Sequence, residues 1–295
     1  MIQNIQNNPK PILSDMPIGV FDSGYGGLTV AKEIIAKLPH ENIIYFGDSH
    51  RCPYGIRELS QVKEFVYEIC EWMISLGVKL IVIACNSATA AGLSYAQKSF
   101  DVPIIGVIEP GARACVQSTR NRRVGVIGTS ATIDSGLYTK AIRMLDAGIT
   151  VFSVATPKFV EIAEQGLQLA DGLFEDLTSS ASKVYVRSAF QEIAQDYLEP
   201  LRRCEIDTLV LGCTHFPLLN ALIGSTMGSK VSLISSANEV AIDVSETLSR
   251  QNLLRSFGAP TYEFYTSGEN LHEFSKFGEA ILGSPITVAK SKKFE

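Results

Sequence analysis

Two distant segments of the chain read alike. Lys79-Leu80-Ile81-Val82-Ile83-Ala84-Cys85-Asn86-Ser87-Ala88-Thr89 is one, and Asp207-Thr208-Leu209-Val210-Leu211-Gly212-Cys213-Thr214-His215-Phe216-Pro217 is the other. Each opens on a short apolar run rich in Ile, Leu and Val. A continuous run of that kind is a strand buried on both faces, as in a parallel sheet. Each run ends in a cysteine followed by amide, hydroxyl or imidazole side chains. The cysteine therefore stands where the strand leaves the sheet at its carboxyl end, the edge at which open α/β sheets bind ligands. Two matched strand ends predict a single site faced by two thiols.

The rest of the chain fits that frame. A length of 295 residues exceeds what one core usually holds, so two domains are expected. A net charge of -5 argues against a nucleic-acid partner, which would call for a basic face, and against an anionic membrane surface. Residues 1–16, with Asn7-Asn8-Pro9 and Pro11, read as a flexible leader and lack the basic start and apolar core of a signal peptide. The most apolar stretch, 76–93, is broken by Lys79 and Asn86 and does not read as a membrane span. The six cysteines (52, 70, 85, 115, 204 and 213) form no CxxC pair and no Cys/His metal spacing. We therefore expect a reduced, cytoplasmic protein with no metal.

Strands are expected at 17–22, 42–46, 103–107 and before Cys85, with helices at 28–38, 59–76 and from 88. Glu109-Pro110-Gly111 closes this part. The order recurs, with strands at 123–128, 151–155 and before Cys213 and helices at 136–145, 159–166 and 183–197. A tail adds a strand at 231–234, a helix at 240–249 and edge strands at 262–265 and 286–289, without assignable chemistry. The fold class is thus α/β, with two pseudo-symmetric doubly wound parallel-sheet domains and the active site in the cleft between them. The expected boundaries are 17–111 plus 226–295 for the first domain and 112–225 for the second. The turn Ser23-Gly24-Tyr25-Gly26-Gly27 joins a strand to a helix whose first N–H groups lack partners, an arrangement that binds phosphate or carboxylate. Thr29 at the third glycine position excludes the dinucleotide fingerprint, and no Gly-Lys-Ser/Thr follows as in a P-loop.

A thiol is a good base once ionised, and a helix start favours the anion. One thiol would serve a hydrolase or transferase. Two matched thiols suit a reaction that takes a proton from one face of a carbon and returns one to the other, which is racemisation. The poorly acidic α-proton of an amino acid then demands fixed dipoles and dry surroundings for the carbanion-like state.

Four ordered motifs carry a resemblance. Phe21-Asp22-Ser23-Gly24-Tyr25-Gly26-Gly27-Leu28, Phe46-Gly47-Asp48 with Pro53-Tyr54-Gly55, Ala84-Cys85-Asn86-Ser87-Ala88, and Gly212-Cys213-Thr214-His215-Phe216-Pro217 closely resemble the glutamate racemases, from about Ile18 to Ser236. The resemblance implies a cofactor-independent enzyme, without flavin or pyridoxal phosphate, that interconverts L- and D-glutamate for peptidoglycan synthesis, and so for cell-wall biogenesis and cell shape. It implies Cys85 and Cys213 as paired acid/base catalysts, with Asp22 assisting the first and His215 with Glu164 the second. Asp22, Ser23, Tyr54, Gly55, Asn86, Ser87, Thr214 and His215 are the implied substrate-binding set. Donors at Ser23, Tyr54, Gly55, Asn86, Ser87 and Thr214 suit two carboxylates, and Asp22 suits the ammonium group. The expected partners are glutamate and, in a homodimer, a second copy of the chain, with no nucleic acid or membrane.

Ser87 replaces the family's usual threonine, and Thr156-Pro157 its common Cys-Pro. The Cys213-Thr214-His215 run favours glutamate over aspartate, whose racemases usually show Cys-Thr-Glu there. The rival readings are an aspartate or other amino-acid racemase of the same fold, and an acidic amino-acid binding protein without chemistry, which would leave two matched thiols idle. Cys70 reads as packing, Cys115 and Cys204 have no nameable polar partners, and Cys52, although at the cleft mouth, receives no role. His50 near Cys52 lacks further ligands for a metal.

Overall fold

The computed structural model describes residues 13–169, 188–286 and 289–294. In the first half, Ile18–Asp22 (β1) leads through the glycine turn into Leu28–Lys37 (α1), whose buried face carries Leu28, Ala31 and Ile34 at helical spacing. Ile43–Gly47 (β2), Leu59–Ser75 (α2), Leu80–Ile83 (β3), Asn86–Ser99 (α3), Ile104–Gly106 (β4) and Ile108–Ser118 (α4) follow. In the second half come Arg123–Gly128 (β5), Ser130–Asp134 (α5), Leu137–Leu145 (α6), Thr150–Ala155 (β6), Lys158–Leu169 (α7), Ser188–Arg203 (α8), Thr208–Gly212 (β7), Asn220–Met227 (α9) and Ser232–Ile234 (β8). The chain closes with Ala237–Arg250 (α10), Tyr262–Thr266 (β9), Leu271–Leu282 (α11) and Ala289–Ser291 (β10).

The strands form two sheets, in the orders β10-β9-β2-β1-β3-β4 and β6-β5-β7-β8. Every pairing is parallel. The inner orders β2-β1-β3-β4 and β6-β5-β7-β8 are the same topology written twice, so the internal repeat holds at the level of strand order. In each half the order reverses between the first and third strands, which opens a crevice at their carboxyl ends. Asp22 and Cys85 stand at that crevice in the first sheet, Thr129 and Cys213 in the second. All residues of β1, β2, β3 and β7 are buried, as continuous apolar runs require. One apolar cluster runs from Leu28, Val240 and Phe274 in the first half to Phe159, Leu211 and Phe216 in the second.

Several expectations change. Leu13–Asp15 of the leader is a 3₁₀ turn, tied down by Ser14 O accepting from Lys79 Nζ at 2.6 Å and by Asp15 pairing with Arg255 at 3.0 Å. The rest of the leader, residues 1–12, lies outside the described residues. Residues 109–111 do not end the first half but sit in the first turn of α4, where Pro110 gives up an N–H that has no helical acceptor. β8 pairs with β7, so the chain returns to the first sheet after Ile234 rather than at 226. α3 starts two residues earlier than expected, and α8 continues past 197 through Pro200, while 183–187 lie outside the described residues. β9 lies between β2 and β10 and is therefore not an edge, and β10 begins at Ala289. Helices α9 and α11 had no expectation.

Candidate active site

The two cysteines arrive from opposite sheets. Cys85 follows β3 and is the N-cap of α3, its Sγ accepting from Ala88 N at 3.5 Å. Its second contact is Ser23 Oγ, 3.7 Å away. Cys213 follows β7, and its Sγ lies 3.8 Å from His215 Nδ1. Both line one small cavity. Ser23, Asn86 and Ser87 of the first half line it too, as do Thr214 and His215 of the second and the Pro53–Gly55 loop. Val160, Cys52, Pro53, Gly55 and Thr129 line both it and an adjoining vestibule.

Asp22 and Glu164 stand behind this lining. Asp22 is fully buried, accepting from Gly24 N at 3.0 Å and from Thr214 Oγ1 at 3.2 Å, and so links the two cysteine loops from behind. Glu164 lines the vestibule, its Oε1 3.4 Å from His215 Nε2. That contact is an ion pair lying off the line of a hydrogen bond, since Nε2 is left without a hydrogen-bond partner. Tyr54 lines the cavity as expected. Its hydroxyl is turned away from the cavity and donates to Asp48, which also receives Arg51 Nε at 2.6 Å and Ser267 Oγ at 2.7 Å. Tyr54 and Gly55 open a 3₁₀ turn, Tyr54–Ile56, whose first main-chain N–H groups have no partner within it.

No Lys or Arg lines the inner cavity among the described residues. Its polar lining consists of hydroxyls, an amide, an imidazole, thiols and the start of α3. Burial pushes the Cys85 thiol up to about 12, and the Asp22 carboxylate adds to it against the Ala88 N–H. The helix start alone therefore does not favour the Cys85 anion as expected, because loss of solvent outweighs one N–H. Burial disfavours the charged form of His215, but the Cys213 sulfur and the Glu164 carboxylate outweigh it and hold the imidazole well above its ordinary value. Burial also raises Cys52 well above the usual thiol range, with Glu164 and Asp22 adding to it. Among the described residues no three His, Cys, Asp or Glu side chains are placed to hold a metal ion together.

A family model described as Asp/Glu/Hydantoin racemase matches residues 26–242. The chain belongs to the Asp/Glu/Hydantoin racemase family. It is an amino-acid racemase, an isomerase. A glutamate racemase of Exiguobacterium sibiricum is 42% identical over 270 residues, covering 91% of this chain and 93% of its own. The crystal structure of a glutamate racemase isoform from Bacillus anthracis superposes with a TM-score of 0.84 at 39% identity, covering 96% of this chain and 98% of that one. A Francisella tularensis glutamate racemase in complex with D-glutamate superposes with a TM-score of 0.82 at 31% identity, covering 95% and 98%.

The racemase cavity also contains residues that sequence reasoning passed over. Thr129 caps α5 and lines both spaces; its Oγ1 lies 2.9 Å from Ser87 Oγ, and Thr132 Oγ1 lies 3.3 Å from the same atom. The signal was present, since Thr129-Ser130 occupies the place that Asp22-Ser23 holds in the first half, but no chemistry pointed to it. Val160 was read only as part of a helix. Thr156 is buried, with its hydroxyl 3.5 Å from Gly128 O, and so turns to its own sheet.

Proposed function

We propose that the chain interconverts L- and D-glutamate by a two-base proton transfer through Cys85 and Cys213. The observation that supports it most is the delivery of both sulfurs, from equivalent strands of two sheets, to one cavity. One sulfur, as thiolate, takes the α-proton, and the electron pair stays on the α-carbon and its carboxylate. The other, as thiol, gives its proton to the opposite face. The enzyme ends with the two protonation states exchanged, ready for the reverse direction. Asp22 assists Cys85 from behind the lining, and the substrate ammonium supplies the positive charge the pocket lacks and offsets the burial of the Cys85 thiolate. His215, held protonated with the help of Glu164, exchanges a proton with Cys213. Ser23, Asn86, Ser87, Thr214 and the main chain of Tyr54 and Gly55 hold the two carboxylates.

Glutamate as substrate is supported by the named glutamate racemases and by the D-glutamate bound to the Francisella tularensis relative. We further propose that the enzyme works in the cytoplasm and supplies D-glutamate for peptidoglycan. The assembly we assign is a homodimer, for which the exposed side chains of Ile56 and Leu59 offer apolar surface. Circular dichroism of L- or D-glutamate incubated with pure protein and EDTA should show loss of optical activity, and Cys85→Ala and Cys213→Ala should abolish it in both directions. In deuterated water the product should carry deuterium at the α-carbon. Full activity of Cys213→Ala, or complete retention of the original hydrogen, would refute the mechanism.

A further inference from the structure

Tyr138 belongs to α6 in the second half, yet it reaches into the first. Its hydroxyl donates to Asn86 Oδ1 across 2.8 Å, and the residue is buried. The ring lies behind the other cysteine loop, since a Cβ on Gly212 would stand 3.2 Å from Tyr138 Cε2. Close on its far side is Gly111, where a Cβ would come within 3.1 Å of the hydroxyl oxygen. One side chain thus touches the residue after Cys85 and the residue before Cys213.

Burial holds the Tyr138 hydroxyl far above its ordinary value, with the sulfurs of Cys115 and Cys213 adding to it, so the phenol proton stays in place at every working pH. A primary amide has one accepting end and one donating end. Once Oδ1 is occupied by the phenol, the end left for the cavity that Asn86 lines is Nδ2. Among the described residues Nδ2 has no hydrogen-bond partner. We infer that Tyr138 is a positioning residue: it locks the Asn86 amide with its NH2 end toward the cavity, so that the site presents a donor rather than an oxygen lone pair to a substrate carboxylate. This rests on the glutamate-racemase reading above. An amide free to turn would set oxygen against carboxylate in a cavity that has no lysine or arginine to compensate.

Tyr138→Phe keeps the ring against Gly212 and removes only the donor. KM for glutamate should rise about tenfold in both directions, with kcat held within about threefold, as the loss of one buried hydrogen bond implies. A double-mutant cycle with Asn86→Ala separates positioning from general support. If Tyr138 acts through Asn86, the double variant has the KM of Asn86→Ala alone. Additive losses, or a folded Tyr138→Phe protein with wild-type KM, overturn the inference. The double variant leaves no orphaned amide oxygen, so its comparison with Asn86→Ala stays decisive even where Tyr138→Phe alone does not fold. Cys85→Ala and Cys213→Ala run in parallel keep the two failures apart. Activity in either cysteine variant removes the reading of the site, whereas inactive cysteine variants with additive Tyr138 and Asn86 effects remove only the role of Tyr138.

Discussion

Replacing Gly55 by alanine tests how closely the two halves meet at the cavity. A Cβ at that position would stand 2.4 Å from Thr129 Cβ, 2.6 Å from its Cγ2 and 2.9 Å from its Oγ1. Ordinary carbon contacts lie at about 3.5–4.0 Å, so the loop or Thr129 must yield by about 1 Å. Thr129 is poorly placed to yield, because its hydroxyl accepts from Thr132 N at 3.4 Å as the cap of α5 and lies 2.9 Å from Ser87 Oγ. Gly55 is not among the residues of positive φ, so alanine suits its backbone and the effect is steric alone. Misplacing a binding loop by about 1 Å costs about a hundredfold in rate, so kcat/KM should fall by about that factor while the far-ultraviolet spectrum is unchanged. The assay is polarimetric racemisation of each enantiomer. Thr129→Gly, which removes the obstructing atoms, should recover part of the loss in the Gly55→Ala background, giving a non-additive pair. Wild-type kcat/KM in Gly55→Ala would refute the reasoning, because it would mean that the loop and Thr129 do not close on each other in the working enzyme.

Two further outcomes are expected. Glu164→Gln removes the carboxylate 3.4 Å from His215 Nε2, so the His215 pKa falls and the alkaline limb of kcat/KM moves to lower pH; a limb that does not move contradicts the pairing. The sign for stability follows from a raised folded-state value: the contribution of His215 is full below its unfolded pKa of about 6.5 and is lost as pH rises through the folded value, so the margin of wild type over Glu164→Gln should shrink toward alkaline pH in thermal scans. At the opposite edge of the first sheet, Lys79 Nζ and Glu41 Oε2 form a buried pair at 2.5 Å, and Lys79 also donates to Leu253 O at 2.9 Å. Lys79→Met strands the Glu41 carboxylate and should cost about 3–5 kcal/mol, about 10 °C in Tm. Racemisation by the folded protein should be unchanged, and a Tm within about 2 °C of wild type would show that the pair carries little.

Some of the fold was legible residue by residue. The Cys85 and Cys213 strands are continuous apolar runs, and such a run has little alternative to a doubly covered parallel strand. Helix α2 followed from Val62, Phe65, Val66, Ile69 and Met73 on one face, of which all but Phe65 are buried. Helix α4 was missed because Pro110-Gly111 reads as a chain break. Gly111 instead sits close against Tyr138 and Ser236, which would leave a Cβ there only 3.1 Å and 3.3 Å, and no local pattern contains them. Helix α11 was overlooked although Phe274, Phe277 and Ile281 recur at helical spacing behind an Asn270 cap. The return to the first sheet was set too early because Ser232–Ile234 is short and half-exposed, and periodicity does not say which sheet a strand joins.

What the sequence determined by itself was the inventory: two thiols at two buried strand ends, a glycine turn behind Asp22, and polar residues gathered at carboxyl edges. Those facts depend on near neighbours in the chain, where apolar run length and turn chemistry act directly. The tertiary structure alone decided which groups face the cavity. It turned the Tyr54 hydroxyl to Asp48, joined Asp22 to Thr214, set Thr129 against Ser87 and brought Tyr138 to Asn86. It also decided the charge states, since the pKa of Cys85 is governed by water excluded by both halves, a quantity no short stretch of residues carries.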